Sequence, residues 1–151
     1  MRYEFEHTDN AWYRKHFDLL NEAYGEVGDG VSMSPDVDDY RMRATDLTSF
    51  NVVAYTDAGE DVGVLMVAIA RAQHSDIYDA ANDLIYVKPA YRNSGIGARL
   101  FKIAEETAAA RGVSRFFWFV QPNTPLDVAL AKRKKTHPLF ERVYCRYLDD
   151  E

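Results

Sequence analysis

The chain has 151 residues with 24 acidic and 18 basic side chains, a net charge of −6, and is 47% hydrophobic and 28% charged. This balance suits one globular domain spanning residues 1–151 and excludes a disordered or fibrous chain; the longest apolar run, Val62 to Ala70, is about half of what a membrane-spanning helix needs. The lone cysteine, Cys145, excludes an internal disulfide, and Met1 to Glu6 lacks the apolar core of a secretory signal, so a cytoplasmic location is expected.

Tyr3 and Phe5 alternate with charged neighbours, as in a first strand. Thr8, Asp9 or Asn10 can cap a helix from Ala11 to about Tyr24, on which Trp12, His16, Leu19, Leu20 and Ala23 fall on one apolar face. On that face His16 reads as a packed histidine, not a catalyst. Three glycines between Gly25 and Met33 predict a loop. Ser34-Pro35 then opens a second helix to about Leu47, with Asp36, Asp38 and Asp39 in its first turn, where the helix dipole favours acids.

Phe50 to Thr56 and Val62 to Ala70 predict a β-hairpin, joined by Asp57 to Asp61. Residues 71–80 are polar and irregular and lead to an apolar strand ending Leu84-Ile85-Tyr86-Val87. A helix follows from Ala98 to Arg111, with a stop at Gly112. Ser114 to Val120 predicts a buried strand, Leu126 to Lys135 a short helix, and Leu139 to Leu148 a closing strand in which Cys145 is a small core residue. There is no internal repeat, linker or low-complexity segment. The order β-α-α-β-β-β-α-β-α-β, with a hairpin in mid-chain and a βαβ unit after it, predicts an α/β fold with a mixed sheet and helices on its faces.

Between the strand ending at Val87 and the helix after it lies Lys88-Pro89-Ala90-Tyr91-Arg92-Asn93-Ser94-Gly95-Ile96-Gly97. Its glycines fall where the loop becomes a helix. There the first main-chain N–H groups have no partner in the chain and the dipole presents partial positive charge, so the loop can hold a phosphate or pyrophosphate. Arg92 can add a charged clamp. Residues 71–151 carry 10 acidic and 13 basic side chains against 14 and 5 in residues 1–70, so a polyanion favours the second half and a cation the first.

The element order, with Arg92-Asn93-Ser94-Gly95-Ile96-Gly97 after Val87-Lys88-Pro89-Ala90-Tyr91, resembles the GCN5-related N-acetyltransferase (GNAT) superfamily, in a short form with an abbreviated C-terminus. The family's signature there is Arg or Gln, two residues, Gly, one residue, then Gly or Ala, preceded by a Val-x-Pro-x-x-Arg run. The topological resemblance covers nearly the whole chain and the motif about residues 84–111.

The resemblance implies the acyl-coenzyme A N-acyltransferase fold and acetyl-coenzyme A as co-substrate, with no metal. Main-chain N–H groups of Arg92, Asn93, Ser94, Gly95, Ile96 and Gly97 would bind its pyrophosphate. The strand ending at Val87 would splay from the strand at Ser114 to Val120, and the pantetheine arm would pair in the gap with main-chain groups of Ile85, Tyr86 and Val87. One of those N–H groups would polarise the thioester carbonyl, a donor fixed where charge develops. Asn123 matches an asparagine that contacts the pantetheine region. Lys132 to Lys135 either reach the coenzyme's 3′-phosphate or complement the helix end; nucleic acid is not expected, since the chain is acidic and no aromatic stacking motif lies beside them.

Such a site transfers acetyl to a primary amine, borne by a small cationic molecule or a protein, by direct attack in a ternary complex. An alkyl amine has a pKa near ~10.4, so a base must take its proton. Asp83 is the first candidate, with Glu26 or Asp29 behind it; Asp76 and His74 in the preceding connection are unranked. Many members carry a tyrosine acid in Tyr-Glu-Lys-x-Gly-Phe, and this chain departs from that pattern. The nearest strings, Leu130-Ala131-Lys132-Arg133 and Phe140-Glu141-Arg142-Val143, supply no tyrosine, which leaves Tyr144, His137 or water. The missing tyrosine keeps a second class open: a coenzyme-binding module without catalysis, acting as an inhibitor or regulatory partner. A membrane partner is not expected, and a homodimer is compatible with the chain.

Overall fold

The computed structural model describes residues 1–27 and 49–148. They fall into two compact units, residues 1–118 and 119–151. The predicted helix from Ser34 to Leu47 and the candidate base Asp29 lie outside the described residues.

The first unit is built on a five-stranded sheet in the order β1-β2-β3-β4-β5. Its strands are β1 (Arg2–Glu6), β2 (Phe50–Tyr55), β3 (Asp61–Arg71), β4 (Tyr78–Val87) and β5 (Arg115–Phe117). The first four pair antiparallel and the β4–β5 pair is parallel, so the sheet is mixed. Side chains alternate along β2: Phe50, Val52 and Ala54 join one core, while Val53 and Tyr55 join the other. Every residue of β2 is buried, as befits a strand covered on both faces.

One face is covered by α3 (Ile96–Ala110), whose Ile96, Leu100, Ala104 and Ala108 are buried at strict four-residue spacing. Gly63 of β3 permits the close approach. A Cβ there would lie 3.2 Å from Ile96 Cγ2 and 3.3 Å from Leu100 Cδ1. The helix ends as its sequence requires: Gly112 takes a φ of 84°, and the Val113 and Gly112 N–H groups close on Ala108 and Ala109 carbonyls in a Schellman pattern.

The opposite face is covered by α1 (Asn10–Lys15) and α2 (Phe17–Val27) through Trp12, Leu19, Leu20 and Ala23. Asp9 is the cap, its carboxylate accepting the Trp12 N–H at 2.7 Å. The single expected helix is therefore two, parted at His16, where the backbone leaves helical angles (φ −105°, ψ 13°). Gly25 to Val27, expected to open a loop, instead complete α2. Glycine weakens a helix only modestly, and contacts made elsewhere along α2 outweigh that.

The hairpin β2–β3 forms as expected, with Gly59 at φ 87° in its turn. The stretch at residues 71–80 is more ordered than its polarity suggests: β3 runs on to Arg71, β4 begins at Tyr78, and a second hairpin joins them, closed by Ala72 N–H to the Ile77 carbonyl. β5 is shorter than the predicted strand at Ser114 to Val120, and Phe119 is exposed.

The second unit contains α4 (Pro125–Ala131), capped by Thr124 with proline at its first turn. The predicted closing strand at Leu139 to Leu148 does not form. Leu139, Val143, Tyr144 and Leu148 are exposed, and no ladder within the described residues takes them up. Cys145 is exposed too, so it is not the core residue expected of it. Apolar alternation specifies a strand only where a neighbouring strand receives it.

Candidate active site

The site begins where the parallel ladder stops. β4 and β5 pair at Asp79–Arg115, Ala80–Phe116 and Ala81–Phe117, and no further. Beyond Phe117 the chain turns onto α3, where Trp118 stacks on Phe101 and Phe116 at 4.2 and 4.3 Å and donates to Glu105. The stretch of β4 from Asn82 to Val87 thus continues without β5 beside it.

A bulge falls at the same place. Met66 pairs with Leu84 and Val67 with Asn82, so Asp83 is the extra residue. Its side chain is exposed. Leu84 and Tyr86 pack toward α1 and α2, while Ile85 and Val87 pack toward α3.

Main-chain direction follows from one bond. Lys88 N–H donates to the Val62 carbonyl at 2.9 Å, and the peptide is trans, so the Val87 carbonyl of that peptide points away from β3. By strand alternation the N–H and C=O of Ile85 and Val87 face this open edge, and those of Tyr86 turn to β3.

After Val87, a short 3-10 turn at Pro89–Tyr91 delivers the chain to Asn93 (φ 63°) and Gly95 (φ 87°, ψ 0°), both left-handed. Ser94 donates from its hydroxyl to the Tyr91 carbonyl, holding the turn. Gly95 is the N-cap of α3 and offers its first N–H groups no side-chain partner. A Cβ on Gly95 would meet nothing within 4 Å, and one on Gly97 only Val87 Cγ2 at 4.0 Å. Open space therefore stands over uncapped helix donors, which fits a pyrophosphate. Ile96 is buried and anchors the turn to the core.

Arg92, the clamp of the sequence reading, is engaged within the protein. Its Nε donates to the Val87 carbonyl at 2.8 Å, its Nη2 to Glu26 Oε2 at 2.8 Å, and its guanidinium lies 5.3 Å from the centre of the Tyr86 ring. The bond from Arg92 holds the Glu26 carboxyl below its ordinary pKa. One turn back on α2, Glu22 accepts from the Tyr86 hydroxyl at 3.0 Å. Burial, together with Glu22, pushes that phenol up to about 12. Sequence reading missed the Glu22–Tyr86 and Glu26–Arg92 pairs. The four-residue spacing of the two acids was the available signal, but nothing local said which partners they meet.

A second charged cluster sits deeper in the same face. His16 is 1% exposed and lies between two carboxylates, Nδ1 to Asp61 Oδ2 at 2.7 Å and Nε2 to Glu6 Oε1 at 2.9 Å. Burial alone would lower its pKa, but the bonds and charges of Glu6 and Asp61 outweigh that and raise it, which favours the imidazolium form. Glu6 also accepts from Trp12 Nε1 at 2.9 Å and from the Tyr55 hydroxyl at 2.6 Å, and Lys15 Nζ donates to that hydroxyl at 2.9 Å. Burial would raise Glu6; its bonds from His16 and Tyr55 overcome this and bring it to about 2. His16 is a packed histidine as expected, with a fully charged environment that composition did not disclose.

The remaining candidates lie apart in the chain. Asn123 has a left-handed backbone (φ 65°), and its N–H donates to Asp127 at 2.8 Å at the start of α4. Lys132 to Lys135 are exposed just past α4. Tyr144 is 86% exposed, and His137 Nδ1 meets the Thr136 hydroxyl at 2.8 Å. His74 and Asp76 lie in the exposed hairpin before β4, where Asp76 pairs with Arg71. Among the described residues no group of three or more His, Cys, Asp or Glu side chains is placed to hold a metal, and no helix is long and apolar enough to cross a membrane.

The acetyltransferase (GNAT) family model matches residues 13–134, most of the chain. The chain belongs to that family, and so to the acyltransferase enzymes. No curated protein sequence matches it significantly. Solved structures share its fold at low identity. An aminoglycoside acetyltransferase, HMB0005, from an uncultured soil metagenomic sample is 18% identical with a TM-score of 0.71, the match covering 100% of both chains. A ribosomal-protein-alanine N-acetyltransferase from Brucella melitensis biovar Abortus 2308 is 16% identical with a TM-score of 0.69, covering 97% of this chain and 100% of that one. The aminoglycoside N-acetyltransferase AAC(6')-Iy, solved in complex with CoA, is 13% identical with a TM-score of 0.63, covering 99% of each.

Proposed function

We propose that the chain, as a single cytoplasmic acetyltransferase domain, transfers acetyl from acetyl-coenzyme A to a primary amine on a cationic acceptor, a small molecule or a protein. The observation that carries this is the end of the β4–β5 ladder at Ala81–Phe117, directly before the bulge and the uncapped start of α3. It leaves main-chain groups of Ile85 and Val87 free of a sheet neighbour beside a loop suited to pyrophosphate. The excess of 14 acidic over 5 basic side chains in residues 1–70 favours a cationic acceptor. Amine acceptors are also named for the structural neighbours above: aminoglycosides, and an alanine of a ribosomal protein.

In this reading the N–H groups from Arg92 to Gly97 bind the pyrophosphate, the Ile85–Val87 edge and Asn123 align the pantetheine arm, and a main-chain N–H of that edge polarises the thioester carbonyl. Asp83, directly or through water, takes a proton from the acceptor's ammonium, and the free amine attacks the thioester carbonyl. The C–N bond forms and the C–S bond breaks, the nitrogen sheds its second proton to water, and Tyr144 or water protonates the departing thiolate.

Calorimetry with acetyl-coenzyme A tests the donor half, and a folded protein that does not bind it overturns the proposal. A thiol-release assay across polyamines, aminoglycosides, amino acids and lysine peptides identifies the acceptor class; coenzyme binding with no release on any of them would favour a non-catalytic module. Asp83→Asn is expected to lower kcat by about 10²–10⁴-fold, the span of a general base, with the coenzyme Kd unchanged. Tyr144→Phe separates the two proton donors, since only a tyrosine acid makes that variant slow.

A further inference from the structure

The arginine of the coenzyme loop is bound at three points, and two of them bear on the proposed site. Its Nε bonds the Val87 carbonyl, a main-chain acceptor on the open edge of β4. Its Nη2 bonds Glu26 in the last turn of α2, within the acidic first half of the chain. The Tyr86 ring lies beneath the guanidinium and is itself tied to α2 through Glu22. In this arrangement Arg92 occupies an edge group that an incoming pantetheine arm would use, and its charge is spent on a carboxylate and not on a phosphate.

We propose that Glu26 is a positioning residue that holds Arg92 as a latch across the β4 edge, and that coenzyme binding opens the latch by drawing the guanidinium from Val87 and Glu26 to the pyrophosphate. This rests on the coenzyme reading above. A consequence follows for order. The Glu26 carboxylate gains a free negative charge only when the coenzyme is in place, so a cationic acceptor is attracted to α2 after the donor has bound, and the two substrates bind with positive coupling.

The latch is exposed, with Arg92 and Glu26 side chains 40% and 46% accessible, so its hold is modest and a ligand can break it. The alternative is plain repulsion, in which Glu26 disfavours the coenzyme's phosphates without acting through Arg92. A double-mutant cycle separates the two.

Calorimetry with coenzyme A on the full chain, for wild type, E26Q, R92A and the E26Q/R92A pair, supplies the test. E26Q is expected to bind coenzyme A about two- to five-fold more tightly than wild type, the range an exposed ion pair commands. In the R92A background the same change is expected to leave the affinity unaltered, because no latch remains. Equal tightening in both backgrounds overturns the latch in favour of repulsion, and no tightening in either overturns it outright, while both leave the acetyltransferase reading standing. A wild-type protein that melts cooperatively yet binds no coenzyme A overturns both.

Discussion

Helices α1 and α2 meet the sheet through two charged clusters that differ in one physical respect. At the base of the face, His16 is buried between Glu6 and Asp61, with Tyr55, Trp12 and Lys15 completing the bonds. At the end of α2, Glu22 and Glu26 reach Tyr86 and Arg92 with both acids exposed. In the first cluster His16 is fully buried and its two carboxylates are only partly exposed, so water replaces a lost partner poorly there. In the second, the Glu26–Arg92 pair is exposed and therefore weak and exchangeable, while the Glu22 bond to the buried Tyr86 ring is half-buried. One kind of contact, carboxylate against cation, is therefore buried architecture in the first place and an exposed surface pair in the second.

The sharpest way to break this comparison is His16→Ala. Removing the shared cation leaves Glu6 and Asp61 facing each other, and a stability loss of about 3 kcal/mol is expected by denaturant unfolding, within the range for breaking a buried pair. Coenzyme affinity of the folded fraction should not change. A loss below about 1 kcal/mol would show that the buried cluster is no stronger than the exposed one.

Gly95→Val probes the other region. A φ of 87° costs a β-branched residue about 1–3 kcal/mol, and the side chain would fill the open space over the helix start. Coenzyme affinity is expected to fall by roughly 10- to 100-fold with the melting temperature little altered if the loop relaxes locally. Unchanged affinity would move the phosphate site elsewhere.

The smallest effect is in the pH profile of stability. The raised pKa of His16 contributes stability that is complete below 6.5 and is lost as pH rises through the folded value. The lowered pKa of Glu6 contributes stability that is complete above 4.5 and is lost as pH falls toward about 2. The cluster is therefore most stabilising between pH 4.5 and 6.5, and thermal melts of the wild type should show a maximum there that His16→Ala flattens. A profile identical in both proteins would show that the ring is neutral.

Much of the backbone of the loop before α3 was legible in the chain itself. The run from Val87 to Gly97 combines a strand end, a proline turn and a left-handed glycine at a helix start, and local chemistry sets each of these. The Asp9 cap and the Gly112 stop were readable for the same reason. Where pattern misled, a distant partner was in control. Gly25 to Val27 read as loop, yet they complete α2, whose acids meet Tyr86 and Arg92. Leu139 to Leu148 read as strand but found no ladder to join.

What the sequence determined alone is the family, the sheet's alternating faces and the loop that fits a pyrophosphate, because these depend on residue type and on spacings of a few positions. Only tertiary structure decided that β5 stops at Phe117, that Asp83 is a bulge, that His16 is buried between two carboxylates and that Arg92 is held by Glu26. Each of these is a contact between residues far apart in the chain. Their energies come from burial and from charge at short range, and neither is written into a local pattern.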